Sequence, residues 1–211
     1  MNDMKVLIAD DHAIVRKGFR EIVEESIPGV QVMEAINGLE VLEKIRVNDW
    51  DVVVMDISMP GRSGLDILHE IRAQQPKLPV LILSMHPEDQ YAMRMLKAGA
   101  AGYLNKEVAL DQLVQAIHKV TAGGRYVSPT LAEKFAFELS GGSDKQPHEL
   151  LSDREYTVLI MIGGGKTVSE IAEQLSLSVK TVSTYRTRIL EKMNLSTNAE
   201  MIRYVIENSL S

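Results

Sequence analysis

Short apolar runs alternate with longer amphipathic stretches through the first 122 residues. Lys5-Val-Leu-Ile-Ala9, Val52-Val-Val-Met55, Val80-Leu-Ile-Leu83 and Ala101-Gly-Tyr-Leu104 are brief and rich in β-branched and aliphatic residues. Between them lie stretches of helical period. The pattern predicts strands at 5–10, 30–35, 51–56, 79–84 and 101–104, and helices at 12–25, 38–47, 65–75, 87–98 and 109–122. Strict alternation of this kind gives a parallel sheet covered by helices on both faces. The expected fold is a flavodoxin-like (βα)5 doubly wound sheet with strand order 2-1-3-4-5.

The pattern changes after Ala122-Gly-Gly124. Residues 123–147 lose periodicity and include Ser140-Gly-Gly-Ser-Asp-Lys-Gln-Pro147, a linker composition. A short helix is expected over Leu131–Leu139. From 148 to 211 the punctuation is that of helix caps. Ser152-Asp-Arg-Glu155, Thr167-Val-Ser-Glu170 and Thr197-Asn-Ala-Glu200 read as capping boxes, and Ser178 caps a longer helix to Met193. Four short helices, the second and third joined by a tight turn, predict a small all-α helix-turn-helix domain.

Composition narrows the classes. No apolar run approaches the length of a membrane span, the first residues lack the basic, apolar and small-residue series expected of a signal peptide, and there is no cysteine, so a cytoplasmic protein is expected. The five histidines are scattered and show no metal-ligand spacing. Residues 1–122 carry 13 Lys/Arg against 18 Asp/Glu, net −5, whereas residues 151–211 carry 7 of each, net 0. Within that neutral segment, residues 178–193 hold four Lys/Arg and one Glu. With Val182 set at 0° and 100° per residue, Ile189, Leu190 and Met193 share its sector, the buried stripe. The opposite sector holds Lys180, Ser183, Thr184, Thr187, Arg188 and Glu191. Small hydroxyls flanked by cations suit a helix in the major groove, with Ser183, Thr184 and Thr187 toward bases and Lys180, Arg188 and Lys192 toward phosphates of double-stranded DNA. Arg186 points into the apolar sector and has no assigned part.

The chemistry of the first half sits at strand ends. Asp10 and Asp11 follow the first run, Asp56 the third, Ser84 the fourth and Lys106 the fifth. In a doubly wound sheet these ends share the ligand crevice. Three acids so close repel unless a divalent cation joins them. With the Met59-Pro60…Gly64 loop, this set closely resembles the receiver domain of bacterial response regulators. The resemblance covers residues 4 to 122. It implies that Asp56 accepts a phosphoryl group from a sensor histidine kinase. It also implies Mg²⁺ at Asp10, Asp11, Asp56 and the Ser58 carbonyl, with Ser84 and Lys106 on the phosphoryl oxygens and Tyr103 as the aromatic that changes rotamer. Leu151-Ser-Asp-Arg-Glu155, Ile171-Ala172, Leu175, Ser178, Lys180-Thr-Val182 and Lys192-Met193 resemble the LuxR-type DNA-binding domain. The whole chain therefore resembles a NarL/FixJ-family response regulator. Such a protein is a transcription regulator rather than an enzyme, homodimeric on activation, with RNA polymerase as a further partner. Tyr185, where that family usually has His, and Lys166-Thr-Val168 depart from the pattern.

Two other classes fit less well. A phosphotransferase built on Asp56 would want a second acid two residues on, and Ser58 stands there. A pure adaptor would not need the basic helix. Gly163-Gly-Gly-Lys-Thr167 resembles a phosphate-binding loop, but Ile160 stands where that motif needs Gly, and a helix precedes it where a strand is required.

Overall fold

The computed structural model describes residues 4–85, 88–129, 131–133, 136, 146–208 and 210. The chain divides into two compact units, 1–135 and 136–211.

In the first unit five strands alternate with five helices. They are β1 (Lys5–Ala9), α1 (Ala13–Ser26), β2 (Gln31–Ala35), α2 (Gly38–Val47), β3 (Val52–Asp56), α3 (Gly64–Gln74), β4 (Val80–Ser84), α4 (Glu88–Lys97), β5 (Gly102–Asn105) and α5 (Lys106–Thr121). The sheet is parallel in the order β2-β1-β3-β4-β5. Side chains alternate across a strand, so Val6, Ile8, Val52, Val54, Leu81 and Leu83 share one face. There they meet Phe19 and Val23 of α1 and Leu113, Ile117 and Val120 of α5 in one buried cluster. Their neighbours Leu7, Val53, Met55 and Ile82, fully buried too, turn to the opposite face. β3 and β4 are buried along their whole length, whereas β2, at the edge, alternates exposed with intermediate positions up to a buried Ala35. Each fully buried aliphatic side chain contributes about 1.5–3 kcal/mol.

Two differences from the expected elements matter. First, α5 begins at Lys106 rather than at 109. Glu107 is not a proline, so nothing bars Lys106 from helical angles. Second, the first unit continues past residue 122. Tyr126 N–H donates to the Ala101 carbonyl (2.9 Å), and the Tyr126 carbonyl accepts from Tyr103 N–H (3.0 Å). The chain thus runs beside β5 and covers an edge that would otherwise be open. Gly102 permits this approach, since a Cβ there would lie 2.6 Å from the Tyr126 carbonyl oxygen. The helix expected over Leu131–Leu139 and the segment 140–147 lie largely outside the described residues.

The second unit opens with a 3₁₀ turn (Pro147–Leu150). Four α-helices follow among its described residues: α6 (Asp153–Gly163), α7 (Val168–Gln174), α8 (Val179–Met193) and α9 (Asn198–Glu207). The boxes at Ser152 and Thr167 are reciprocal, and Ser178 accepts from Thr181 N–H at the start of α8. The third box is only half made. Thr197 accepts from Glu200 N–H, but the Glu200 carboxylate accepts from Ser196 N–H rather than from Thr197. Tyr156, Leu159, Ile162, Ile171, Val182, Ile189, Met193, Met201 and Val205 are buried in this unit. α6 and α9 approach closely at Gly163, where a Cβ would lie 2.5 Å from Val205. The turn between α7 and α8 passes through Ser176 in the left-handed region (φ 54°). Its N–H donates to the Glu173 carbonyl and that of Leu177 to Ala172, as in a Schellman cap.

Candidate phosphoacceptor site and nucleic-acid interface

Strand register brings the reactive side chains to one edge. Ala9 pairs with Met55, Asp56 with Leu83, and Ser84 with Asn105. Asp10, Asp56, Ser84 and Lys106 therefore follow or end adjacent strands at the same level. Asp10 and Ser84 are fully buried and Asp56 nearly so.

The two buried acids are held alike. Asp10 Oδ1 accepts from His12 N–H (2.8 Å), and Asp56 Oδ1 from Ser58 N–H (3.0 Å). Each second oxygen accepts from Lys106 Nζ, at 2.7 Å in both cases. One ammonium thus bridges two carboxylates whose residues are 46 apart in the chain. Its own helix start at 106 gives it a fixed stem. Burial pushes the Asp56 carboxyl up, against the Lys106 ammonium that favours its charged form. Burial would lower Lys106, but its bonds to Asp10 and Asp56 outweigh that and raise it. The charged form of Lys106 is favoured, because its Nζ makes short bonds to two carboxylates and a neutral amine would leave both short of a partner.

Asp11 completes the acid group and is partly exposed, its side chain 31% accessible. Ligand atoms of Asp10, Asp11, His12 and Asp56 lie within 4.8 Å of one another. Carboxylate oxygens, two of them anchored and one open to solvent, fit a hard divalent cation such as Mg²⁺. His12 was not expected here. Its Nδ1 lies 3.0 Å from Asp11 Oδ1 and 3.3 Å from Asp10 Oδ1. The signal in the sequence was its adjacency to Asp10-Asp11, not a ligand spacing. Arg16 was also missed, being one cation on an amphipathic helix. It donates to the Asp10 carbonyl and, through Nε, to Glu34 on β2, both at 2.7 Å. The Arg16 guanidinium, its largest influence, holds the Glu34 carboxyl below its ordinary value. Tyr103 lies fully buried in β5. Gly64 opens α3 where a Cβ would fall 2.6 Å from Ile57 Cα, so the loop after Asp56 can close tightly.

In the second unit α8 buries Val182, Ile189 and Met193. Lys180, Ser183, Thr184, Thr187, Arg188 and Glu191 are exposed, as the wheel requires. Lys192 is exposed as well, with 41% of its side chain accessible, but it is also paired within the unit. Its Nζ donates to Glu155 Oε2 (2.7 Å), a buried carboxylate that also closes the Ser152 capping box. Lys192 therefore ties α8 to the start of α6, and a phosphate would have to compete with Glu155 for its ammonium. Arg186 Nε donates to Asn198 Oδ1 at the start of α9.

A parallel sheet with an acid cluster and a bridging lysine, followed by a helix-turn-helix unit, defines a two-component response regulator. Residues 6–118 match the response regulator receiver domain, and residues 149–205 match the bacterial regulatory proteins of the luxR family. The chain belongs to the NarL/FixJ family of response regulators. It is 39% identical over 209 residues to the response regulator GacA of Pseudomonas syringae pv. syringae, spanning 98% of this chain and 97% of that one. It is 38% identical to the response regulator UvrY of Escherichia coli K12, over 98% and 95% respectively. Among solved structures, RcsB of Salmonella typhimurium aligns over all of both chains with 27% identity and a TM-score of 0.71. RcsB of Salmonella enterica serovar Typhimurium, bound to promoter P1flhDC with the phosphomimetic BeF3⁻, aligns over 97% of this chain and 98% of that one, with 26% identity and a TM-score of 0.67. No described helix is long and apolar enough to cross a membrane.

Proposed function

We propose that this regulator is switched by phosphorylation of Asp56 and then binds operator DNA as a dimer. The observation that carries the reading is the Lys106 ammonium, 2.7 Å from both Asp10 and Asp56 at the crevice of the sheet. In this reading a phosphohistidine of a sensor kinase delivers the phosphoryl group to an Asp56 oxygen. Asp10, Asp11, Asp56 and the Ser58 carbonyl would hold Mg²⁺, which when bound would supply positive charge against that of the incoming dianion. Lys106 leaves Asp56 to bond a phosphoryl oxygen, and Ser84 moves to bond another, because each gains a charge-assisted bond. Tyr103 follows. The proposed functional domains are a receiver over 1–122, a linker over 123–147 whose first residues, through Tyr126, stay paired to the receiver's β5 edge, and a DNA reader over 148–211. In the reader, Ser183, Thr184 and Thr187 face bases, and Lys180 and Arg188 face phosphates. All of this chemistry takes place in the cytoplasm, where kinase and chromosome are both in reach.

Incubation of the full chain with Mg²⁺ and acetyl phosphate should add one acid-stable, base-labile phosphate, visible by intact mass. Asp56→Asn should abolish it, and chelation of Mg²⁺ should stop it. Uptake of the same adduct by Asp56→Asn would sink the reading.

A further inference from the structure

The reader's recognition face carries information about the base it meets. Thr184 Oγ1 donates to the Lys180 carbonyl (3.0 Å), and Thr187 Oγ1 donates to the Ser183 carbonyl (3.1 Å). Both side chains are exposed, yet each has turned its hydroxyl hydrogen back onto its own helix. What remains for a partner is a methyl group and an oxygen lone pair. Neither threonine offers a donor. Lys180 stands one turn before Thr184 and Arg188 one turn after it, both exposed. These cations can take phosphates on either side of the threonine pair.

Base edges in the major groove respond differently to such a face. Guanine shows two acceptors, N7 and O6, which a donor-free side chain leaves unpaired. Cytosine shows one donor and no methyl. An A·T pair shows the adenine N6 amino donor beside the thymine C5-methyl, the one combination that uses both remaining groups. We propose that Thr184 and Thr187 together read an A·T pair in the operator half-site, by methyl contact with thymine and by accepting from adenine N6. Ser183 keeps a rotatable hydroxyl and is given no share of this discrimination. The inference rests on the reading of the second unit as a DNA reader.

The test uses the full chain with Mg²⁺ and beryllium fluoride, and a duplex it enriches from a random library. Thymines in each half-site are replaced one at a time by deoxyuridine, which lacks only the methyl. At one position this should weaken binding about fourfold, the effect of exposing one methyl. The same replacement should cost nothing to Thr184→Ser or to Thr187→Ser, which keep the hydroxyl and lose the methyl. At the adenine of that pair, a purine lacking the 6-amino group should weaken the parent chain. It should not weaken the matching Thr→Val variant. If every deoxyuridine costs the parent and both Ser variants alike, the threonines read no thymine and the proposal is wrong. If no duplex is enriched over random DNA, the DNA-reader reading itself fails, and this inference goes with it.

Discussion

Lys106 donates one hydrogen bond to Asp10 and one to Asp56, so it reports on whichever of them changes charge. Replacing it should separate loading from response. Lys106→Ala removes the ammonium but leaves Asp10, Asp11 and Asp56 to gather the cation. The variant should still take up phosphate from acetyl phosphate, measured by intact mass, while its DNA affinity no longer rises with phosphate. Full activation in that variant would show that the signal leaves Asp56 by another route. At Ser176 the argument is about backbone strain. A non-glycine residue in the left-handed region costs about 1–2 kcal/mol, part of which glycine recovers before its own entropy is counted. Ser176→Gly should therefore stabilise the reader by about 0.5–1 kcal/mol, read from the urea midpoint. A lower midpoint would mean that the serine side chain supports the turn.

At the scale of elements, what could be read from sequence and what could not have distinct physical causes. Strand positions and order were legible because β1, β3 and β4 are buried on both faces and leave uninterrupted aliphatic runs. The acids and Lys106 were legible because the parallel topology sends every strand end to one edge. The start of α5 was not, because Asn105, a residue type suited to a helix cap, also ends β5, and the missing proline permits a helix there without marking one. Tyr126 was missed because a single residue beside a strand edge has no period to detect. His12 and Arg16 were missed because their partners, Asp10, Asp11 and Glu34, are set by folding and not by spacing. The Lys192–Glu155 pair was missed because the partner lies 37 residues away on α6, and no spacing within one helix shows it. That pair makes a prediction about acid. Burial would raise the Glu155 carboxyl, but Lys192 and the Ser152 donors outweigh it and hold it below its ordinary value. A depressed carboxylate stabilises the fold above its unfolded value of about 4.3, and this is lost as pH falls through the lower, folded value. Glu155→Gln should cost about 1–3 kcal/mol at pH 7 and flatten the fall in stability below about pH 4.5. Lys192→Ala should likewise lower stability and leave the salt dependence of DNA binding nearly unchanged, whereas Lys180→Ala or Arg188→Ala should reduce that slope by about one. A reduced slope for Lys192→Ala would return it to the phosphate contacts.

For the whole molecule, the question is how a change at Asp56 reaches α8. The first 122 residues are acidic and the reader is neutral, with its positive charge gathered on α8. A single four-helix reader contacts few base pairs, so tight specific binding calls for two copies on two half-sites. Linking two readers through paired receivers makes the second contact intramolecular, which raises avidity without any new contact to DNA. The receiver need only shift a monomer–dimer balance for this to work, and the composition of residues 140–147 suits a tether rather than a lever. Beryllium fluoride with Mg²⁺ should therefore raise the sedimentation mass of the full chain toward a dimer. It should also tighten binding to a two-half-site duplex by at least about tenfold, with little effect on a single half-site. Mass and affinity should move over the same range of protein concentration. Tighter binding with no change in mass would instead point to relief of a block within one chain, and no change in either would mean that the receiver does not govern the reader.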